Sequence, residues 1–123
     1  MIRFIAIIKR HWSAVTFAIL VIITFLSLWP LDELPPVPGT DKTHHFIAYA
    51  LLMIPAALRR PNNWILYGLF FAAFSGAIEL VQPFVNRYGE WMDMLANAGG
   101  LICGIITAGL IDFIISDRQD KPV

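Results

Sequence analysis

From Trp12 to Ile115 the chain consists of four apolar stretches with polar breaks between them, and that alternation constrains the fold more than any single motif. The stretches cover residues 12–29, 43–58, 64–85 and 91–115. At about 1.5 Å of rise per residue, helices of this order approach the ~30 Å hydrocarbon core of a bilayer. Inside lipid every backbone polar group needs a partner within the protein, which favours helices over open strands. Only 15% of residues are charged, against roughly 25% in a soluble domain, and mean hydropathy is +0.67. The expected fold is therefore all-α: a single domain over residues 1–123, built as an integral membrane bundle of four transmembrane helices.

The breaks support this division. Pro30, Pro35, Pro36 and Pro38, with Gly39, rule out regular helix between the first two stretches, because each proline removes a donor and restricts its neighbour. Thr40 or Asp41 then reads as the cap that opens the second helix. Arg59-Arg60-Pro61-Asn62-Asn63 is a tight turn, and Asn86-Arg87-Tyr88-Gly89-Glu90 is a hydrophilic hinge. Pro55 lies inside the second stretch, and Pro83 is expected to kink the third near Glu79. The N-terminal run is longer than a signal peptide's apolar region and ends in Leu-Trp-Pro, so it reads as a retained span. Residues 2–8 before it read as a short amphipathic segment lying on the cytoplasmic surface.

Orientation follows from the basic residues. Four spans put both termini and the 59–63 turn on one side, with Arg3, Lys9, Arg10, Arg59, Arg60, Arg118 and Lys121. The other side holds Lys42 and Arg87. Both termini are expected to be cytoplasmic. The net charge is zero and no basic run exists, which excludes nucleic acid as a partner. Cys103 is the only cysteine and lies in an apolar run, so neither a disulfide within the chain nor a thiolate metal site is expected. Trp12, Trp29, Trp64 and Trp91 fall near span ends and read as an interfacial belt.

Ionisable groups within such segments are costly and by default mark a functional site. Glu79-x-x-Gln82, Asp93-x-x-x-Asn97 and Asp41-Lys42-x-x-His45 with Tyr49 supply them, and Arg87 lies beside them. Spacings of three and four residues place Gln82 with Glu79, Asn97 with Asp93 and Tyr49 with His45 on common helix faces. Each pair lies within about two turns, or ~10 Å, of the outer end of its helix. Small residues at four-residue spacing lead to this level: Gly68, Ala72 and Gly76 on the third span, and Ala96, Gly100, Gly104 and Ala108 on the fourth. Glu79, His45 and Asp93 are the candidate catalytic groups. Arg87, Lys42, Asp41, Tyr49, Gln82 and Asn97 are the candidate binding groups, with the two cations suited to a phosphate. Each has a plainer reading too. His45 serves as a headgroup-level hydrogen bonder, Asp93 as a helix cap, and Glu79 as a tie between helices. His45, Glu79 and Asp93 are ligand types that suit zinc or manganese, but they come from three helices without paired-histidine spacing. No metal and no cofactor is expected.

At these residues the sequence resembles the VanZ-like family of bacterial membrane proteins. The match is Asp41-Lys42-x-x-His45-Phe46-x-x-Tyr49, Glu79-x-x-Gln82, Arg87, Asp93-x-x-x-Asn97 and Gly100, over roughly residues 40–110. Where family members often carry Pro-Gly before the arginine, this chain has Val85-Asn86. The family is named for a protein associated with low-level resistance to teicoplanin, a glycopeptide that targets cell-wall precursors. The resemblance implies a small multi-span protein of the bacterial cytoplasmic membrane in an envelope setting. It does not supply a reaction.

Two functions follow as expectations. In the first, an outer-leaflet polar site binds or acts on a phosphate-bearing envelope lipid or lipid-linked precursor. In the second, the protein is a non-catalytic scaffold or homo-oligomer whose polar cluster fixes helix packing. A transporter is disfavoured because the polar residues gather at one level and form no path across.

Overall fold

The computed structural model describes residues 1–29, 41–85 and 91–119. Among these residues there is no strand. Five helices follow one another: α1 (Ile2–Arg10), α2 (Trp12–Leu28), α3 (Asp41–Arg59), α4 (Trp64–Val81) and α5 (Trp91–Gln119). A 3-10 turn, Gln82–Val85, follows α4 directly. The breaks at residues 30–40 and 86–90 lie outside the described residues, as does the tail from 120.

α3 is the central element. It packs most extensively on α5 and also meets α1, α2 and α4. Its inward face is His45, Tyr49, Leu52, Met53 and Ala56, a helical spacing, and the last three are fully buried. α4 turns Phe71, Ser75, Ile78 and Glu79 inward, and α5 turns Asp93, Asn97, Gly100, Leu101, Gly104 and Ala108 inward. The opposite faces are apolar and exposed, with Phe70, Leu80, Ile102, Leu110 and Phe113 among them. Continuous exposed apolar surface of this kind is what a lipid-facing protein presents.

Two helices are long and apolar enough to cross a membrane, Trp64–Val85 and Trp91–Gln119. The pair α1 and α2 passes the same test jointly but is bent by 82° at His11, so the number of candidate spans is two or three. α3, expected as the second span, is not among them. Lys42, His44, His45 and Arg59 lower its mean hydropathy, and its burial against the neighbouring helices comes from packing rather than from its own apolarity.

The bend at His11 separates α1 as the expected short amphipathic helix. Ile5 is buried on one face, while Arg3 and Arg10 are exposed. Lys9 Nζ donates to Asp112 Oδ1 at 2.7 Å and pins α1 to the C-terminal half of α5. Pro83, expected to kink the helix near Glu79, instead follows its end: the α-helix stops at Val81 and the chain tightens into the 3-10 turn. α3, in contrast, continues through Pro55 to Arg59.

The α3–α5 contact is backbone-close, and two glycines allow it. A Cβ on Gly100 would run into the carbonyl oxygen of Phe46, and one on Gly104 would come within 2.5 Å of the carbonyl oxygen of Ala50. The α4 stripe packs more loosely. Gly68 faces the end of the Met53 side chain and Gly76 faces Met94.

Candidate functional site

The start of α3, the end of α4 with its 3-10 turn, and the start of α5 meet at one end of the molecule. His45 Nδ1 lies 3.1 Å from Asn97 Oδ1. Its other nitrogen, Nε2, lies 3.8 Å from Asp93 Oδ2. Lys42 Nζ is 3.8 Å from Asp93 Oδ1. Glu79 completes the group, because one ligand-type atom from each of His45, Glu79 and Asp93 lies within 4.8 Å of the others. The three residues expected to carry chemistry are therefore brought together from three helices.

The cluster is enclosed. Glu79 is 7% exposed and Asp93 5%, and the His45 side chain is 12% exposed. Lys42, with a side chain 47% exposed, forms the wet rim. Two carboxylates this close in a poorly solvated site repel each other and need positive charge or protons between them. Lys42, on α3, brings a cation to the rim of the group, and His45 adds a second charge only when it is protonated.

Each position has a local reason. Asp93 is in the first turn of α5, where free N–H groups and the helix dipole favour a carboxylate. Glu79 continues the inward row Phe71, Ser75 and Ile78, so the periodicity that buries α4 also buries its acid. His45 and Tyr49 are one turn apart on α3. Tyr49 is buried and close enough to Glu79 to interact with its charge.

Gln82 and Asn97 are almost fully buried. Asn97 holds His45, as above. Gln82 Nε2 instead donates to the backbone carbonyl of Ser27 at 3.1 Å, tying the 3-10 turn to the last turn of α2. α2 thus reaches the site region through Ser27. Sequence reasoning missed this residue, since its contribution is a carbonyl oxygen that no side chain announces. Arg87 lies outside the described residues, and so does the side chain of Asp41.

The opposite end is built differently. Trp12 packs edge-on against Tyr67 at 5.1 Å, the Arg60 guanidinium lies 5.9 Å over the Trp64 ring, and the Lys9–Asp112 pair lies nearby on α1 and α5. An open, apolar hollow of about 470 Å³ lies between α2 and α4, lined by Trp12, Phe17, Tyr67 and Phe70 among others. No carboxylate, histidine, lysine or arginine lines it among the described residues. Cys103 is half-buried beside Thr107, in keeping with a packing role.

Chemically, the cluster offers two acids, a base and an amine at one depth. It can move protons, hold a cation, or position an anionic headgroup at the Lys42 rim. Comparison with protein-family models, curated proteins and solved structures returns no match to this chain.

Proposed function

We propose that the chain is a VanZ-like protein of the bacterial cytoplasmic membrane whose outer-leaflet polar site binds or acts on a phosphate-bearing envelope lipid or lipid-linked precursor. In this reading the molecule is a four-span bundle with both termini cytoplasmic. α3 crosses as the central helix, with Phe46, Ile47 and Leu51 adding to the lipid-facing surface of its neighbours, and α1 lies along the inner face. The asymmetry of Lys and Arg supports that orientation.

The observation that carries the reading is the enclosed cluster of His45, Glu79 and Asp93 with Lys42 at its rim. Glu79 and His45 exchange protons, Asp93 orients the nucleophile while Asn97 holds the His45 ring, and Lys42 with Arg87 holds the phosphate. Altered glycopeptide (teicoplanin) sensitivity is the cellular consequence the family resemblance suggests.

A second reading, a non-catalytic scaffold, is favoured by one specific observation. The His45–Asn97 and Gln82–Ser27 contacts each join two different helices, as interhelical polar ties in membranes do. The test separates the two readings. Glu79→Gln, His45→Ala and Arg87→Ala are expressed in the native host, and detergent-solubilised folded yield is measured beside glycopeptide sensitivity and the profile of lipid intermediates. Normal yield with a lost phenotype supports the site, and the lipid that accumulates indicates the substrate class. Reduced yield, with the phenotype falling only in proportion, supports the scaffold.

A further inference from the structure

We propose that His45, Glu79 and Asp93 form a binding site for one first-row divalent cation, Zn²⁺ or Mn²⁺, with at least one coordination position open. The sequence contains no spacing that suggests this, because each helix contributes a single ligand.

Three independent features of the geometry point to a cation. The first is the orientation of His45. Asn97 Oδ1 lies 3.1 Å from Nδ1, and in the tautomer in which Nδ1 carries the hydrogen, Nε2 turns its lone pair towards Asp93. A ring nitrogen held by an outer oxygen while the other faces carboxylates is the usual arrangement around a metal-binding histidine.

The second is the spacing. Nε2 and Asp93 Oδ2 are 3.8 Å apart, too far for a direct hydrogen bond. Two ligands on a tetrahedral ion with bonds of about 2.1 Å sit about 3.4 Å apart. The widest gap in the cluster is 4.8 Å or less, so side-chain adjustment of a little over 1 Å closes all three groups on one ion.

The third is an unsatisfied buried oxygen. Asp93 Oδ1 accepts no hydrogen bond from any described residue, although its side chain is only 7% exposed. Lys42 Nζ, at 3.8 Å, is within ion-pair range without closing that bond. Buried carboxylate oxygens need a partner, and a divalent ion neutralises both Glu79 and Asp93 at once. One imidazole and two carboxylates match the donor preferences of zinc and manganese. Three protein ligands leave a place for water or a phosphate oxygen.

The inference rests on the cluster and not on the lipid reading. With the ion bound the three side chains serve as ligands and the open position takes water or a phosphate oxygen; the acid–base roles of the functional reading belong to the ion-free cluster.

The test uses the full chain purified in detergent, stripped with chelator and titrated with Co²⁺ as a spectroscopic stand-in. A saturable visible band at one Co²⁺ per chain, displaced by Zn²⁺, is expected; Mn²⁺, the weaker binder of such ligands, competes only in excess. Glu79→Gln and Asp93→Asn should weaken binding at least tenfold, and Asp112→Asn, at the other end of the molecule, should leave it unchanged. His45→Cys provides a readout independent of lost affinity, because a thiolate at that position adds a near-ultraviolet sulfur-to-cobalt band. Absence of stoichiometric binding by the natural chain overturns the proposal. So does equal binding by Glu79→Gln and Asp93→Asn, or a Co²⁺ spectrum of His45→Cys without the sulfur band. None of these readouts involves a lipid or an envelope phenotype, so this proposal and the functional one fail separately.

Discussion

His45 and Asn97 meet across the α3–α5 interface with Nδ1 and Oδ1 3.1 Å apart, and this contact sets which ring nitrogen faces the carboxylates. Asn97 is 1% exposed, so water cannot take its place. Asn97→Leu is expected to cost about 1–3 kcal/mol, the usual penalty for leaving a buried polar group without its partner. It should also loosen metal binding by roughly 10–100-fold, as removal of an outer-shell partner does. Asn97→Asp restores an acceptor and should recover part of both. Detergent unfolding curves read the first effect and Co²⁺ titration the second.

Gln82 tests whether α2 belongs to the site region. Its amide donates to Ser27 O, while its own oxygen accepts nothing from the described residues. Gln82→Met removes one hydrogen bond and one unsatisfied acceptor together, so the net loss should be small, about 1 kcal/mol. Gln82→Glu puts another carboxylate at a 1% exposed position, one turn from Glu79. That should cost more than about 3 kcal/mol. Midpoints of SDS-induced unfolding in mixed micelles compare the two. A Gln82→Met variant as unstable as Gln82→Glu would contradict this account.

Lys9 holds α1 through Asp112, but both side chains are partly exposed, at 37% and 29%. Pairs of that kind contribute about 0–1 kcal/mol and weaken with salt. Lys9→Gln should therefore leave the unfolding midpoint nearly unchanged. Its effect should be local, with faster protease cleavage and hydrogen exchange in residues 1–10. A large fall in global stability would mean that this pair, and not the packing of Ile5 in the core, fixes α1 to the bundle.

Much of this arrangement is legible in the chain because helical period and depth are sequence properties. Tyr49 after His45, Gln82 after Glu79 and Asn97 after Asp93 fall on common faces, and the structure keeps each of these residues turned inward. Pro83 signals a break in this helix, but as a kink near Glu79 rather than as the stop at Val81 that the structure shows. Distances between helices are not legible, because they depend on how closely α3 and α5 approach. That is why a metal site was not expected from three ligands on three helices. The central place of α3 was hidden for a related reason. Its hydropathy is lowered by the histidines and charges of its first turns, while the burial of Leu52, Met53 and Ala56 is conferred by neighbours. The Ser27 carbonyl and the Lys9–Asp112 pair join positions far apart in the chain, and no local pattern anticipates them.

The approach of α3 to α5 can be tested by two substitutions of the same kind. Gly100 and Gly109 lie nine residues apart on α5, and both are exchanged for alanine. At Gly100 the new methyl group meets the backbone of Phe46 and Ala50. Backbone cannot step aside as a flexible side chain can, so the helices must separate. Overpacking of this sort costs about 1–3 kcal/mol, against roughly 1 kcal/mol gained from the better helix propensity of alanine. A net loss of up to about 2 kcal/mol is expected, and it should be accompanied by weaker Co²⁺ binding, because His45 directly precedes Phe46 at the displaced contact. At Gly109 nothing lies within 4 Å of the added carbon, so only the propensity term remains and stability should rise by up to about 1 kcal/mol. Thermal or SDS unfolding of the two variants side by side checks the sign of each. Equal effects at the two positions would show that close α3–α5 packing does not hold the cluster together.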